Sequence, residues 1–301
     1  MGISRQKQPS RGWLPGLFGG ASRRWATRRF ALACAASVCA APALAQDPPA
    51  WTRPIAPFHI VGPVWYVGTE GLGSYAIRTR AGVILIDGTM AENVPAILAN
   101  LRRIGVRPRD VKLMLSSHAH ADHAAGDAAL QRATGAPVLA GTGDVEALRT
   151  GMPPGETSYP AVRFPAVPRV RPLRDGQVVR LGGARLTAVA TPGHTPGCLT
   201  WTMRVEEEGR PLDLVFPCSL TVAGNRLVGN RRYPGIVEDF RKSFDRVDAL
   251  HADVVLPMHP EFAEVMERRQ RGDWVAPGLL QRMVADARRA FARDLAAQQA
   301  R

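Results

Sequence analysis

The sequence predicts one mixed α/β domain, and three observations predict it. Short apolar strands come in two runs, each run is followed by a stretch of helical periodicity, and a dense histidine–aspartate cluster stands at a strand end. In the first run, Phe58 to Val61, Val64 to Gly68, Tyr75 to Arg78 and Val83 to Asp87 read as strands. A helix is expected from about Ala91 to Ile104, and Val111 to Ser116 is apolar enough for a buried strand. The second run covers Val178 to Leu181, Arg185 to Ala190, Leu199 to Arg204 and Asp213 to Phe216. Ile236, Val237, Phe240, Phe244 and Val247 then recur at helical spacing, and Leu280, Met283, Ala287, Phe291 and Leu295 make an amphipathic closing helix. Between the runs, Thr150 to Asp175 is rich in Pro and Arg, contains Tyr159-Pro160, and reads as one irregular loop. Loops of that length are uncommon unless functional.

The N-terminus reads differently from the rest. Residues 1–45 hold seven Lys or Arg and no Asp or Glu. Arg28-Arg29 precede an apolar run, Phe30 to Ala41, too short to cross a bilayer as a permanent helix. Pro42 ends it, and Ala43-Leu44-Ala45 offers a small-residue cleavage site before Gln46. We expect a signal peptide over 1–45 and a single domain over 46–301, acting in a bacterial periplasm without a stable membrane anchor. Thr27-Arg28-Arg29-Phe30 faintly resembles a twin-arginine export signal, so either export route stays open. Cys34 and Cys39 fall in the removed part.

Removing the leader also changes the charge argument. The chain carries +13, the leader +7, which leaves 13 − 7 = +6. The remaining basic residues are scattered, as in Arg102-Arg103, Arg268-Arg269 and Arg288-Arg289, and suit solvated helix faces rather than a phosphate-binding stripe. No nucleic-acid partner is expected. The oligomeric state is open, with a monomer favoured.

Ser117-His118-Ala119-His120-Ala121-Asp122-His123 carries the chemistry. Four good metal ligands fall within six positions, after a strand, with small spacers that leave room for ions. Such a loop can aim His118 and His120 one way while Asp122 and His123 diverge towards a second point. Zinc accepts imidazole nitrogen and carboxylate oxygen, and a catalytic zinc keeps one position for water. The competing reading is a surface histidine-rich loop that scavenges metal weakly. Of the seven histidines, His194 and His259 also stand in strand-then-loop contexts. His194 lies in the turn-rich Thr191-Pro192-Gly193-His194-Thr195-Pro196-Gly197, and His259 follows Asp253-Val254-Val255-Leu256-Pro257. His59 and His251 have no such context and read as ordinary structural histidines.

His118-x-His120-x-Asp122-His123, a later Gly193-His194 and a last strand-end His259 together resemble the metallo-β-lactamase superfamily, over essentially all of residues 51–301. The resemblance implies a four-layer αββα sandwich with its metals at one edge of the paired sheets. Gly193-His194-Thr195-Pro196-Gly197, Asn230 to Phe244 and Pro257-Met258-His259-Pro260 look most like subclass B3 metallo-β-lactamases. No Asp or Glu occurs from Leu214 to Val237, where lactonase-like and glyoxalase II-like members normally carry a bridging aspartate.

What the resemblance implies can be stated residue by residue. His118, His120 and His194 would hold a first zinc, and Asp122, His123 and His259 a second. Hydroxide oriented by Asp122 would attack the amide of a β-lactam, a small-molecule substrate, and such activity would confer antibiotic resistance. Ser219 and Thr221 match positions whose hydroxyls bind the substrate carboxylate, although local backbone bonding would also explain them. A zinc hydrolase of a lactone, thioester or other ester-like bond is the alternative. Cys218 sits where other members place an acid. A pair of buried free thiols is the first reading of Cys198 and Cys218, a cross-strand disulfide the second, and zinc ligation by Cys218 the third.

Overall fold

A computed structural model describes residues 47–157 and 163–301. The expected signal peptide and Tyr159-Pro160 lie outside the described residues. The first sheet has seven strands in sequence order: β1 (Phe58–His59), β2 (Val64–Tyr66), β3 (Tyr75–Thr79), β4 (Gly82–Ile86), β5 (Val111–Leu115), β6 (Val138–Gly141) and β7 (Val170–Leu173). The chain winds antiparallel from β1 to β4 and parallel from β4 to β7. The parallel crossovers carry α1 (Val94–Arg103), α2 (Ala121–Ala124), α3 (Asp127–Thr134) and α4 (Val145–Thr150).

This sheet is buried on both faces, and the side-chain period of two divides it between two cores. In β4, Val83 and Leu85 join Ile97, Leu101, Leu130 and Leu148 on the helix side. Ile84 and Ile86 point the other way, towards Trp201, Leu186 and Phe216 of the second sheet. Those residues belong to β9 (Ala184–Ala190), β10 (Leu199–Glu207) and β11 (Arg210–Phe216), which with β8 (Val178–Leu181) and β12 (Val254–Val255) give the order β12-β11-β10-β9-β8. The same inner core continues to Phe240 and Phe244 of α5 (Ile236–Asp248) and Phe291 of α7 (Leu279–Gln299). A short α6 (Val265–Arg271) precedes α7. The arrangement is the helix–sheet–sheet–helix layering that the sequence led us to expect.

Three local expectations change. The first is the long loop, which is not irregular throughout. Its end forms β7, where Val170 and Leu173 are buried while Arg171 and Pro172 face outward. β7 is an edge strand, the place where a sheet tolerates proline and uses charge to discourage further pairing. The basic, proline-bearing surface that hid this strand is therefore what its position requires.

The second concerns the metal cluster, which is not all loop. α2 begins at Ala121, so Asp122 and His123 lie in a first helical turn. A two-residue turn, Ala125-Gly126, separates α2 from α3, and only glycine fits at 126 because a Cβ there would come within 2.2 Å of the Gly88 carbonyl oxygen.

The third is the thiol pair. Cys198 and Cys218 form a disulfide with Cα atoms 5.9 Å apart, so neither is a free thiol and Cys218 is not a zinc ligand. The β10–β11 pairing brings the start of one strand beside the end of the other, and the two residues just outside it meet. The same hairpin turns on Glu208 and Gly209 alone, both at positive φ.

Candidate metal centre

The two sheets end together, and the site is built from the loops that leave that edge. β5 delivers His118 and His120, α2 delivers Asp122 and His123, the β9–β10 connection delivers His194, and the residues after β12 deliver His259. Gly193 fits its place for a physical reason: at φ +138 its Cβ would strike the Phe240 ring at 2.8 Å. All six side chains singled out from the sequence meet, as two triads whose ligand atoms lie within 4.8 Å of one another. The rings of His118 and His123 are 4.2 Å apart between centroids, so the triads are neighbours. His59 instead contacts the Gly62 carbonyl, and exposed His251 faces Asp253.

Hydrogen bonds fix which nitrogen each ring turns inward. Asp87 accepts from the Ser117 amide at 2.6 Å and from the Ser117 hydroxyl at 2.5 Å. The spent Ser117 hydroxyl then accepts from His118 Nδ1 at 3.0 Å, which leaves His118 Nε2 with a lone pair. His123 Nδ1 donates to Asp87 and His194 Nδ1 to the Thr221 carbonyl, so Nε2 is the nitrogen that both rings turn inward. His118 Nε2 and His194 Nε2 stand 3.1 Å apart, and His120 Nδ1 is 2.9 Å from His194 Nε2. In the second triad, Asp122 Oδ2 lies 3.1 Å from His123 Nε2 and 3.2 Å from His259 Nε2.

These separations test whether a metal fits. Donors held tetrahedrally at about 2.0–2.1 Å from zinc lie about 3.3 Å from each other. Converging lone pairs at that spacing suit one cation per triad. The partners on the outer nitrogens are the kind that orient metal-bound histidines.

Electrostatics separates the triads. Burial holds His118 and His194 well below the usual histidine range and His120 at about 4, so the first triad is neutral. Burial opposes charge in the second triad too, but Asp122 and Asp87 outweigh it and raise His123 to about 10. His123 and His259 in turn hold the half-buried Asp122 carboxyl well below its ordinary value.

Four residues around the site were missed by sequence reasoning. Asp87 had a signal, since an acid directly follows the apolar Val83-Ile84-Leu85-Ile86. Asp144 had none that is local. Its fully buried carboxylate accepts from the Ala119 amide at 2.9 Å, the Thr195 hydroxyl at 2.7 Å and the Gly197 amide at 2.8 Å, tying the His118–His120 loop to the His194 loop. Trp51 and Phe262 flank His259, with ring centroids at 5.2 and 6.0 Å.

The triads open into a cleft of about 310 Å³ that Ser219, Thr221, Trp51 and Phe262 help to line. The hydroxyls of Ser219 and Thr221 are 3.0 Å apart. Pro153 and Thr157 line the same cleft, so the start of the long loop forms part of its wall. Glu156 anchors it by accepting from the Arg231 and Arg232 amides.

Comparison with known proteins agrees with this geometry. The profile of the metallo-β-lactamase superfamily matches residues 74–259. A subclass B3 metallo-β-lactamase of Bradyrhizobium japonicum superposes with a TM-score of 0.80 at 38% identity, covering 84% of this chain and 98% of that one. One from a soil metagenome library gives 0.80 at 34% identity, covering 83% and 99%. A metallo-β-lactamase from Cronobacter sakazakii gives 0.78 at 37% identity, covering 84% and 98%. By sequence, a hydroxyacylglutathione hydrolase of Anaeromyxobacter dehalogenans is 31% identical over 58% of this chain and 56% of its own length. An N-acyl homoserine lactonase of a Bacillus species is 26% identical over 53% and 65%. Both alignments span less than two thirds of the relative.

Proposed function

Because this chain belongs to the metallo-β-lactamase superfamily, we propose that it is a zinc-dependent β-lactamase of the B3 kind. The observation that carries this reading is the pairing of two ligand triads with the Ser219–Thr221 hydroxyl pair in one cleft wall. The full-length likeness to B3 enzymes supports it. His118, His120 and His194 would hold one zinc, and Asp122, His123 and His259 the other. Zinc, when bound, supplies Lewis acidity and makes a water acidic enough to attack near neutral pH.

The chain's own residues do the rest. Ser219 and Thr221 donate to the carboxylate of the lactam's fused ring and so fix the amide over the triads. Asp122 Oδ2 faces the two histidines, which leaves its other oxygen to accept a hydrogen bond from the attacking water and orient it. Trp51 and Phe262 give the substrate apolar walls and narrow the access of bulk water.

The relatives named hydroxyacylglutathione hydrolase and N-acyl homoserine lactonase favour a second reading, hydrolysis of a thioester or lactone. Against it, no carboxylate occurs from Leu214 to Val237, and Cys218 is locked in a disulfide. The test is hydrolysis of a chromogenic cephalosporin and a carbapenem by residues 46–301, with zinc and after chelation. Zinc-dependent turnover supports the lactamase reading; turnover of lactones or thioesters alone replaces it.

We also propose export to the periplasm through residues 1–45. The disulfide suits an oxidising compartment. Among the described residues no helix is long and apolar enough to cross a membrane. N-terminal sequencing of the protein recovered from a periplasmic extract should begin near Gln46.

A further inference from the structure

The cleft does not end at Ser219 and Thr221. These two residues, with His259 and Phe262, also line a second lobe of about 340 Å³ on their far side. Its outer wall is α7, where Met283, Ala287 and Ala290 share one helix face. Arg289 and Arg293, four positions apart, stand along the same lobe with Asp286. Arg289 is paired with Asp286. Arg293 has neither a hydrogen bond nor an ion pair among the described residues. Two guanidinium groups against one carboxylate leave the lobe net positive. An unspent guanidinium presents a planar fork of donors that matches a carboxylate.

We propose that this lobe receives the substituent next to the ring carboxylate of a β-lactam, and that Arg289 and Arg293 favour one ending in an anion. The inference rests on the β-lactamase reading. With the ring carboxylate at Ser219 and Thr221, the adjacent ring carbon stands at the boundary between the two lobes. Its substituent therefore leads into the α7 lobe, while the acyl side chain on the opposite edge stays in the first. The apolar face of α7 packs against the body of the substituent, and the two arginines meet its tip.

The test uses the zinc-loaded enzyme and three cephalosporins that differ only at that substituent: carboxylate-bearing, neutral and pyridinium-bearing. In the native enzyme KM should rise from the anionic through the neutral to the cationic compound. In R289A/R293A the ratio of cationic to anionic KM should fall about ten-fold at low salt, the scale of two exposed charge contacts each reversed in sign. R289K/R293K should retain most of the ratio, and added salt should compress it. A native ratio near one, or a ratio untouched by R289A/R293A, overturns the proposal. Hydrolysis of none of the three overturns the β-lactamase reading, and this inference with it, whereas equal hydrolysis of all three overturns only the role of the lobe.

Discussion

The two triads stand side by side yet are held by different physics. The first is three neutral imidazoles, with His118 only 1% and His194 6% exposed, fixed by hydrogen bonds to their outer nitrogens and loops and by a covalent tie. Cys218 Sγ lies 3.8 Å from His118 Nδ1, and Asp144 joins the two loops that carry the triad. The second is a charged group at the cleft wall, with Asp122 21% and His259 15% exposed. The attraction of His123 to both Asp122 and Asp87 organises it. A site assembled by packing should respond to loss of scaffold, whereas one assembled by charge should respond to loss of charge and to pH.

The largest effect expected is on the charged triad. Asp122→Asn keeps the shape and one oxygen but removes the negative charge and weakens the orientation of water. Turnover should fall about 10³-fold, within the range for losing a positioned acid–base group, and on the two-zinc reading elemental analysis should show the loss of about one ion per chain. His118→Ala should cost turnover on a similar scale, but the zinc that remains should then sit in the second triad. If both variants lose the same zinc, as read by cobalt substitution spectra, the triads are one cooperative unit and the contrast fails.

The scaffold of the first triad gives the next two predictions. Cys198→Ser with Cys218→Ser opens a link between residues 20 apart in sequence. On the chain-entropy account this removes about 3 kcal/mol of stability. Denaturant midpoints should move accordingly, and zinc affinity of the first triad should weaken more than that of the second.

Asp144→Asn is subtler. An amide offers one acceptor where Asp144 uses both oxygens, so its NH2 group must face a donor. A loss of about 1–3 kcal/mol is expected, again with the first triad loosened. Burial raises the Asp144 carboxyl to about 6 despite its three donors. A raised acid favours the folded state below its unfolded value, and that contribution is lost as pH rises through about 6. The variant should flatten this slope of metal-free stability between about pH 4 and 6.

Much of the charged triad was legible in the sequence because Asp122 and His123 are adjacent and share a motif with His118 and His120. His194 and His259 could be placed from strand-then-loop context, since each follows an apolar run. The scaffold was much less legible. Asp144 acts on Ala119, Thr195 and Gly197, partners that only the fold brings near. The disulfide depends on where β10 and β11 begin and end, which composition does not reveal. β7 was hidden because an edge strand carries the arginine and proline that otherwise mark a loop. Short-range chemistry is written locally; the supports that hold it are distributed over the chain.

The last prediction separates the triads by protons, with every side chain left in place. His118, His120 and His194 are already neutral at pH 6, so filling the first triad should release none. His123, raised to about 10, must lose its proton before it can ligate. Zinc affinity of the second triad should therefore rise about ten-fold per pH unit between pH 6 and 9, one proton being displaced per ion. The first should stay nearly flat over that range. Calorimetric titration of metal-free protein at pH 6, below the range in which a zinc-bound water ionises, in two buffers of different ionisation enthalpy counts these protons directly. One proton for one ion and none for the other would make the difference between the triads quantitative. Equal counts would mean that Asp122 and Asp87 share their charge across both, and that the neutral triad is neutral only in isolation.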